Sequence, residues 1–289
     1  MRKYLIVCCF ILVSSIAVAE ELSPFSVERS QVVTYESELL SRSYKLYIQL
    51  PRSFEESPKR YYPFVFLNDG NYSFPMATSI SSQLVGSRKV EDLLIVGISY
   101  SQEVSWQISR TRDYTPTYAP KENNYHSAEA REYSGGAKSY LEFIEKELFP
   151  YLNTYYRADL KRKIYAGHSF GGLFGGFILK AAPSMFDYYI ISDPSFWYDN
   201  EAIFNVEQNR SEGSKGEIGV LITASNPHPD RKVSSPLRMK ENAYKFGEEL
   251  RNDKKLDLNV TNLVFDGEIH ESLFPISYSR GLRDYLGTK

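Results

Sequence analysis

The run Lys163-Ile-Tyr-Ala-Gly-His-Ser169-Phe-Gly-Gly-Leu-Phe-Gly-Gly-Phe-Ile-Leu-Lys180 decides the fold. Ile164 to Ala166 read as a short buried strand. Leu173, Phe174, Phe177 and Ile178 recur at helical spacing, and Pro183 closes the segment. Between them lies Gly-x-Ser-x-Gly, the pattern of a strand–turn–helix bend that lifts a serine to its tip. Gly167 and Gly171 are expected to flank Ser169 because side chains there would meet the neighbouring strand and helix. The bend would expose the Ser169 hydroxyl and aim the Phe170 amide at the same point, an arrangement suited to acyl chemistry.

Working outward, strand and helix signals alternate. Ser43–Leu50 alternates polar and apolar residues, whereas Tyr62–Asn68 and Leu93–Ser99 are continuous apolar runs that suit strands covered on both faces. A helix is expected from about Gly136, with Tyr140, Leu141, Ile144, Leu148, Tyr151 and Leu152 on one stripe. Later strands are expected at Tyr188–Ser192, Ile218–Ala224 and Asn259–Phe265, with helices at Leu237–Leu250 and Leu273–Leu286. This alternation predicts an α/β fold, a mostly parallel central sheet with helices on both faces. Ligands of such sheets bind at the carboxyl ends of the strands. Asn68–Asn71, Ser169, Asp193 and His270 all follow expected strands. The polar stretch from Ser101 to Ser134 reads as a long irregular segment covering that edge.

Residues 1–19 have a basic start, a short apolar run and Ala17-x-Ala19 before Glu20, the pattern of a Sec-type signal peptide. The reading is therefore a leader at 1–19, a single domain at 20–289, and a periplasmic or secreted protein. Cys8 and Cys9 would leave with the leader, so disulfides, a thiol nucleophile and a thiolate-bound metal are not expected. A net charge of −2 gives no sign of a nucleic-acid or anionic-membrane partner.

A serine hydroxyl needs a base within reach and a third group to orient that base. His270, in Phe265-Asp-Gly-Glu-Ile-His270, follows the last strand, where the order nucleophile, acid, histidine of α/β hydrolases puts the base. His168 is expected to pack or hydrogen-bond locally, and His126 and His228 to sit in polar loops. Two aspartates compete for the acid: Asp230 after the penultimate strand and Asp193 after the strand before it. A Ser–His pair with no carboxylate is the third arrangement. Phe170 and Asn71 are the expected oxyanion donors, although Asp69-Gly70 would also suit a hairpin turn. Trp197 and Tyr198 suit a substrate-pocket wall or the core. No metal or organic cofactor is called for.

Taken together, Gly167-His-Ser-Phe-Gly-Gly172, Leu67-Asn-Asp-Gly70, Arg110-Thr-Arg-Asp-Tyr-Thr-Pro116, Ser134-Gly-Gly136 with Phe143–Leu148, and Asp193-Pro-Ser-Phe-Trp197 resemble the esterase D-like, or enterochelin esterase-like, family of α/β hydrolases. The resemblance runs from about Tyr44 to the C-terminus. It implies a serine esterase with Ser169 as nucleophile and His270 as base, acting on a small-molecule or carbohydrate-linked ester such as a siderophore lactone, a feruloyl or acetyl sugar, or S-formylglutathione. Some members are acyltransferases. The chain departs from the family pattern after Ala224, where Ser225-Asn-Pro-His228 replaces a Gly-x-x-Glu type acid. A binding protein that kept the fold without the chemistry is the contrasting class. Arg112 and Asp113 are expected to form a structural ion pair.

Overall fold

The computed structural model describes residues 24–121, 126–208, 216–228, 238–254 and 256–288. The expected leader and Asp230 lie outside these residues. Among the described residues the strands are β1 (Ser30–Ser37), β2 (Arg42–Gln49), β3 (Tyr62–Leu67), β4 (Leu94–Ser101), β5 (Ala158–His168), β6 (Tyr188–Ser192), β7 (Ile218–Asn226) and β8 (Leu258–Asp266). They form a single sheet in the order β1-β2-β4-β3-β5-β6-β7-β8. The pairs β1–β2 and β2–β4 are antiparallel, and every later pair is parallel.

The helices are α1 (Gly70–Gly86), α2 (Trp106–Tyr114), α3 (Ala128–Arg131), α4 (Ala137–Phe143), α5 (Phe149–Tyr156), α6 (Phe170–Ala181), α7 (Tyr198–Glu201), α8 (Met239–Asn252) and α9 (His270–Leu286). They divide between the two faces because residues along a strand alternate sides. Phe64 and Phe66 of β3 point into a core shared with α4, α5, α6 and α8, through Tyr140, Leu152, Phe174 and Phe246. Val65 and Leu67 of the same strand point the other way, onto Phe74 of α1 and Phe274, Tyr278 and Leu282 of α9. Both sides of β3 are thereby buried along its whole length, which is why its sequence shows no alternation.

Three local departures from expectation have physical causes. The stretch after Ser101 is not wholly irregular: Ser105 caps α2 by accepting from the Ile108 amide. The helix was hidden because its buried face carries Ser109, Arg110, Thr111, Arg112 and Asp113 rather than apolar residues. Expected as one helix, residues 137–156 widen into a π-turn over Ile144–Leu148, just before Pro150, which has no amide hydrogen to donate. The edge strand β1 gave no apolar signal because much of it faces solvent. None of the helices among the described residues is long and apolar enough to cross a membrane.

Candidate active site

Ser169 stands alone between β5, which ends at His168, and α6, which begins at Phe170. Its backbone lies at φ 60, ψ −116, outside the ordinary regions for a side-chain-bearing residue. Such a conformation costs about 1–3 kcal/mol and persists only where its surroundings enforce it. They do so here through backbone bonds: the Ser169 amide donates to Ser192 O on β6 at 3.0 Å, and Ser169 O accepts from the Ser195 amide at 3.0 Å. Gly167 is obligatory, since a Cβ there would lie 2.4 Å from Gly171 O. Gly171 itself is less constrained than expected, because its nearest neighbour for a Cβ is 3.4 Å away. The tight approach falls one residue later, where a Cβ on Gly172 would come within 2.9 Å of Pro194 Cα.

His270 is the first residue of α9, one turn earlier than that helix was expected to begin. Its ring packs against His168, the residue preceding Ser169, with centroids 4.3 Å apart, so the imidazole arrives at the bend. His270 Nδ1 donates to Asp193 Oδ2 at 2.9 Å. Asp193 follows β6 in a left-handed conformation, φ 42, anchored by its amide on Thr223 O of β7. It is fully buried, 0% exposed, and also accepts from the Ser225 amide at 3.1 Å and the Ser225 hydroxyl at 2.7 Å. Burial alone would raise this carboxyl, but the bonds from His270 and Ser225 outweigh it and hold the group below its usual range. Of the two aspartates weighed from sequence, Asp193 is the one that meets the imidazole, and Asp230 lies outside the described residues. Behind the pair, His168 Nδ1 faces Ser192 Oγ at 3.3 Å, and Ser192, Ser277 and Thr223 continue as a buried chain of hydroxyls. Burial first, and then His270, lower His168 to about 3, so its ring is neutral at working pH.

The opposite wall begins at Asp69, left-handed at φ 55, whose turn opens α1 and so is not a hairpin. Arg110 of α2 grips the Asp69 carboxylate with two bonds, Nε to Oδ1 at 2.7 Å and a second guanidinium nitrogen to Oδ2 at 2.9 Å. Tyr100 and Tyr72 add hydroxyl bonds to the same carboxylate. Arg110 also donates to His168 O at 3.4 Å, linking the start of α1 to the bend. Gly70 and Asn71 are the first residues of α1, and Phe170 is the first of α6. Amides in a helix's first turn have no partner within the helix, so both termini offer N–H groups. Asn71 is exposed there.

Between the walls, the Phe170 ring stacks on His126 at 4.5 Å, with Trp197 at 6.0 Å and Tyr198 edge-on at 5.5 Å. Trp197 therefore lies beside the bend and packs on Phe170. His126, expected in a polar loop, is engaged: Thr111 Oγ1 meets its Nδ1 at 2.7 Å, and burial, then Arg110, lower it to about 4. The Tyr198 hydroxyl donates to Thr117 O, and Thr117 Oγ1 donates to Asp199, one of three successive left-handed residues, Asp199 to Glu201, so α7 is a kinked turn rather than a regular helix. His228 is exposed. Arg112 and Asp113 pair as expected, at 2.8 Å, and also hold Arg42, Tyr44, Ser101 and Ser109. Sequence reasoning missed Ser195, Ser225 and the Asp69–Arg110 pair. In the Arg-Thr-Arg motif the arginine that reaches the site is the first. Among the described residues no cluster of His, Asp and Glu converges in a way that could hold a metal ion.

The family described as "Putative esterase" matches residues 37–235. The ferri-bacillibactin esterase BesA of Bacillus subtilis (strain 168) is 29% identical over 267 residues, covering 90% of each protein. A siderophore triacetylfusarinine C esterase of Aspergillus fumigatus is 28% identical over 243 residues, 76% of this chain and 80% of that one. The crystal structure of an IroE-like serine hydrolase from Shewanella oneidensis superposes with a TM-score of 0.74 at 28% identity, covering 89% of this chain and 80% of the other. The family match spans most of the sheet and the bend at Ser169, and the solved relative shares the fold around them. The chain belongs to this esterase family: it is a carboxylic ester hydrolase built on the α/β-hydrolase fold.

Proposed function

We propose that the chain is an exported serine esterase that cleaves siderophore esters through an acyl-enzyme. One observation carries the reading: a buried carboxylate, Asp193, bonded to His270 Nδ1 at the edge where a strained turn presents Ser169. Ser169 Oγ attacks the ester carbonyl carbon while His270 Nε2 takes its proton. The imidazolium so formed is held by Asp193 through Nδ1–H. Charge gathers on the carbonyl oxygen, and the amides of Phe170 and Asn71 receive it. One such donor is typically worth about 10²–10³ in rate. Collapse breaks the bond to the alcohol oxygen, which leaves with the proton from His270. Water then repeats the sequence with His270 as base, releasing the acid and restoring Ser169.

Depression of the Asp193 carboxyl supports this assignment, because the residue stays ionised when the imidazolium needs it. The siderophore substrate rests on what the bacterial and fungal relatives are named for, and export rests on residues 1–19. The test is a panel of siderophore lactones, nitrophenyl esters and feruloyl and acetyl sugars. It is run on protein purified from the exported fraction, whose N-terminal residue is read in the same preparation, and on Ser169→Ala. Turnover of the siderophore esters, a fluorophosphonate adduct on Ser169 and loss of both in the variant are expected. Activity surviving in Ser169→Ala overturns the mechanism, and preference for the sugar esters overturns the substrate.

A further inference from the structure

Ser195 Oγ lies 3.3 Å from Ser169 Oγ. Nothing about a serine in Asp193-Pro-Ser-Phe-Trp197 marks it out in sequence, yet its side chain meets the proposed nucleophile. The contact is fixed from several directions. The Ser195 amide donates to Ser169 O at 3.0 Å, Ser195 is only 1% exposed, and Pro194 is packed tightly on Gly172 of α6. A hydroxyl this buried must spend its hydrogen bond locally, and the partner it finds is Ser169 Oγ.

Resting on the reading of Ser169 as nucleophile, we infer that Ser195 is a positioning residue: its hydroxyl donates to Ser169 Oγ in the free enzyme. The direction follows from the chemistry. Ser169 has one proton, and it must point to His270 if that imidazole is to remove it, so the oxygen is left to accept from Ser195. The bond holds Ser169 Oγ in one rotamer between the base and the two amides, and Ser195 keeps its proton throughout. Asp193 and Ser195 are two residues apart, so one short segment orients the base and the nucleophile together.

The test compares wild type, Ser195→Ala and Ser195→Thr. In the alanine variant, kcat/KM for a nitrophenyl ester and the second-order rate of fluorophosphonate labelling should both fall about tenfold, the scale of one hydrogen bond. The melting temperature and the affinity for a non-hydrolysable amide analogue should stay near wild type. Threonine retains the hydroxyl and should recover labelling to within about threefold if its melting temperature matches wild type. If it unfolds, the labelling rate of the alanine variant decides alone. Alanine-variant labelling within twofold of wild type overturns the inference, as does a loss confined to analogue affinity. Absence of any adduct on Ser169 in the wild-type enzyme overturns the parent reading instead.

Discussion

Asp69 and Asp193 make an instructive pair. Each follows a parallel strand at the same edge of the sheet, each is left-handed, at φ 55 and φ 42, and each is buried, at 1% and 0% exposed. They differ in what surrounds the carboxylate. Asp69 is gripped by the Arg110 guanidinium and two tyrosine hydroxyls, so its charge is cancelled permanently. Burial would lower Arg110, but Asp69 outweighs that and raises it, so the cation never leaves. Asp193 is held by a neutral amide, a hydroxyl and one imidazole. Its charge is satisfied by hydrogen bonds and, in the mechanism proposed above, is available for the imidazolium of His270. Two aspartates of similar burial and similar φ are thus given different surroundings by their partners, and the proposed mechanism gives them different tasks.

The sharpest way to break this comparison is to neutralise each aspartate in turn. Asp193→Asn should lower kcat by about 10²–10⁴-fold, because an amide no longer favours the Nδ1–H tautomer or its cation. Stopped-flow or steady-state turnover on the folded variant checks it, and a loss below tenfold would remove Asp193 from the proposed triad. Asp69→Asn should instead cost about 3–5 kcal/mol of stability in urea melts, since it leaves Arg110 buried without its counter-charge. Turnover per folded molecule should fall by no more than about tenfold, through the loosened link to His168 O. If the two variants exchanged these phenotypes, the assignment would be reversed.

Acid titration sharpens the same contrast at smaller scale. His168 is lowered to about 3 in the fold, against an ordinary value near 6.5, so the unfolded chain binds a proton that the folded chain refuses between those limits. Stability from this residue is full above about pH 6.5 and declines as pH falls toward about 3, with a limiting slope of about 1.4 kcal/mol per pH unit. Urea melts at pH 7.5 and 5.0 should show that decline in wild type and a shallower one in His168→Leu. Equal slopes would mean that the ring takes up its proton without unfolding.

Much of this architecture could be read from the chain. The strands β3, β6 and β7 fall within two residues of their expected ends because parallel strands covered on both sides must be apolar throughout, and the edge strand β8 does so although much of it is exposed. Ser169 was marked by the Gly-x-Ser-x-Gly pattern, and His270 by its place after the last strand. Partnership was not legible. Asp69 looked like a turn residue, and Ser195 and Ser225 carry no pattern, since a serine's role depends on a neighbour far along the chain. Helix α2 escaped because ion pairs, not hydrocarbon, fill its inner face. Choosing between Asp193 and Asp230 needed the distance to His270, a quantity that no local pattern encodes.

The peptide bonds beyond the strand ends carry a last consequence. Ser169 hangs on Ser192, Asp193 on Thr223, and Ser195 on Ser169, all through main-chain groups. Spacing between these residues is therefore ruled by the interstrand distance of about 4.8 Å, a length common to every sheet and indifferent to side-chain identity. The surrounding loops can be rewritten for a new ester while this ruler stays fixed, which reconciles a shared scaffold with relatives less than one-third identical.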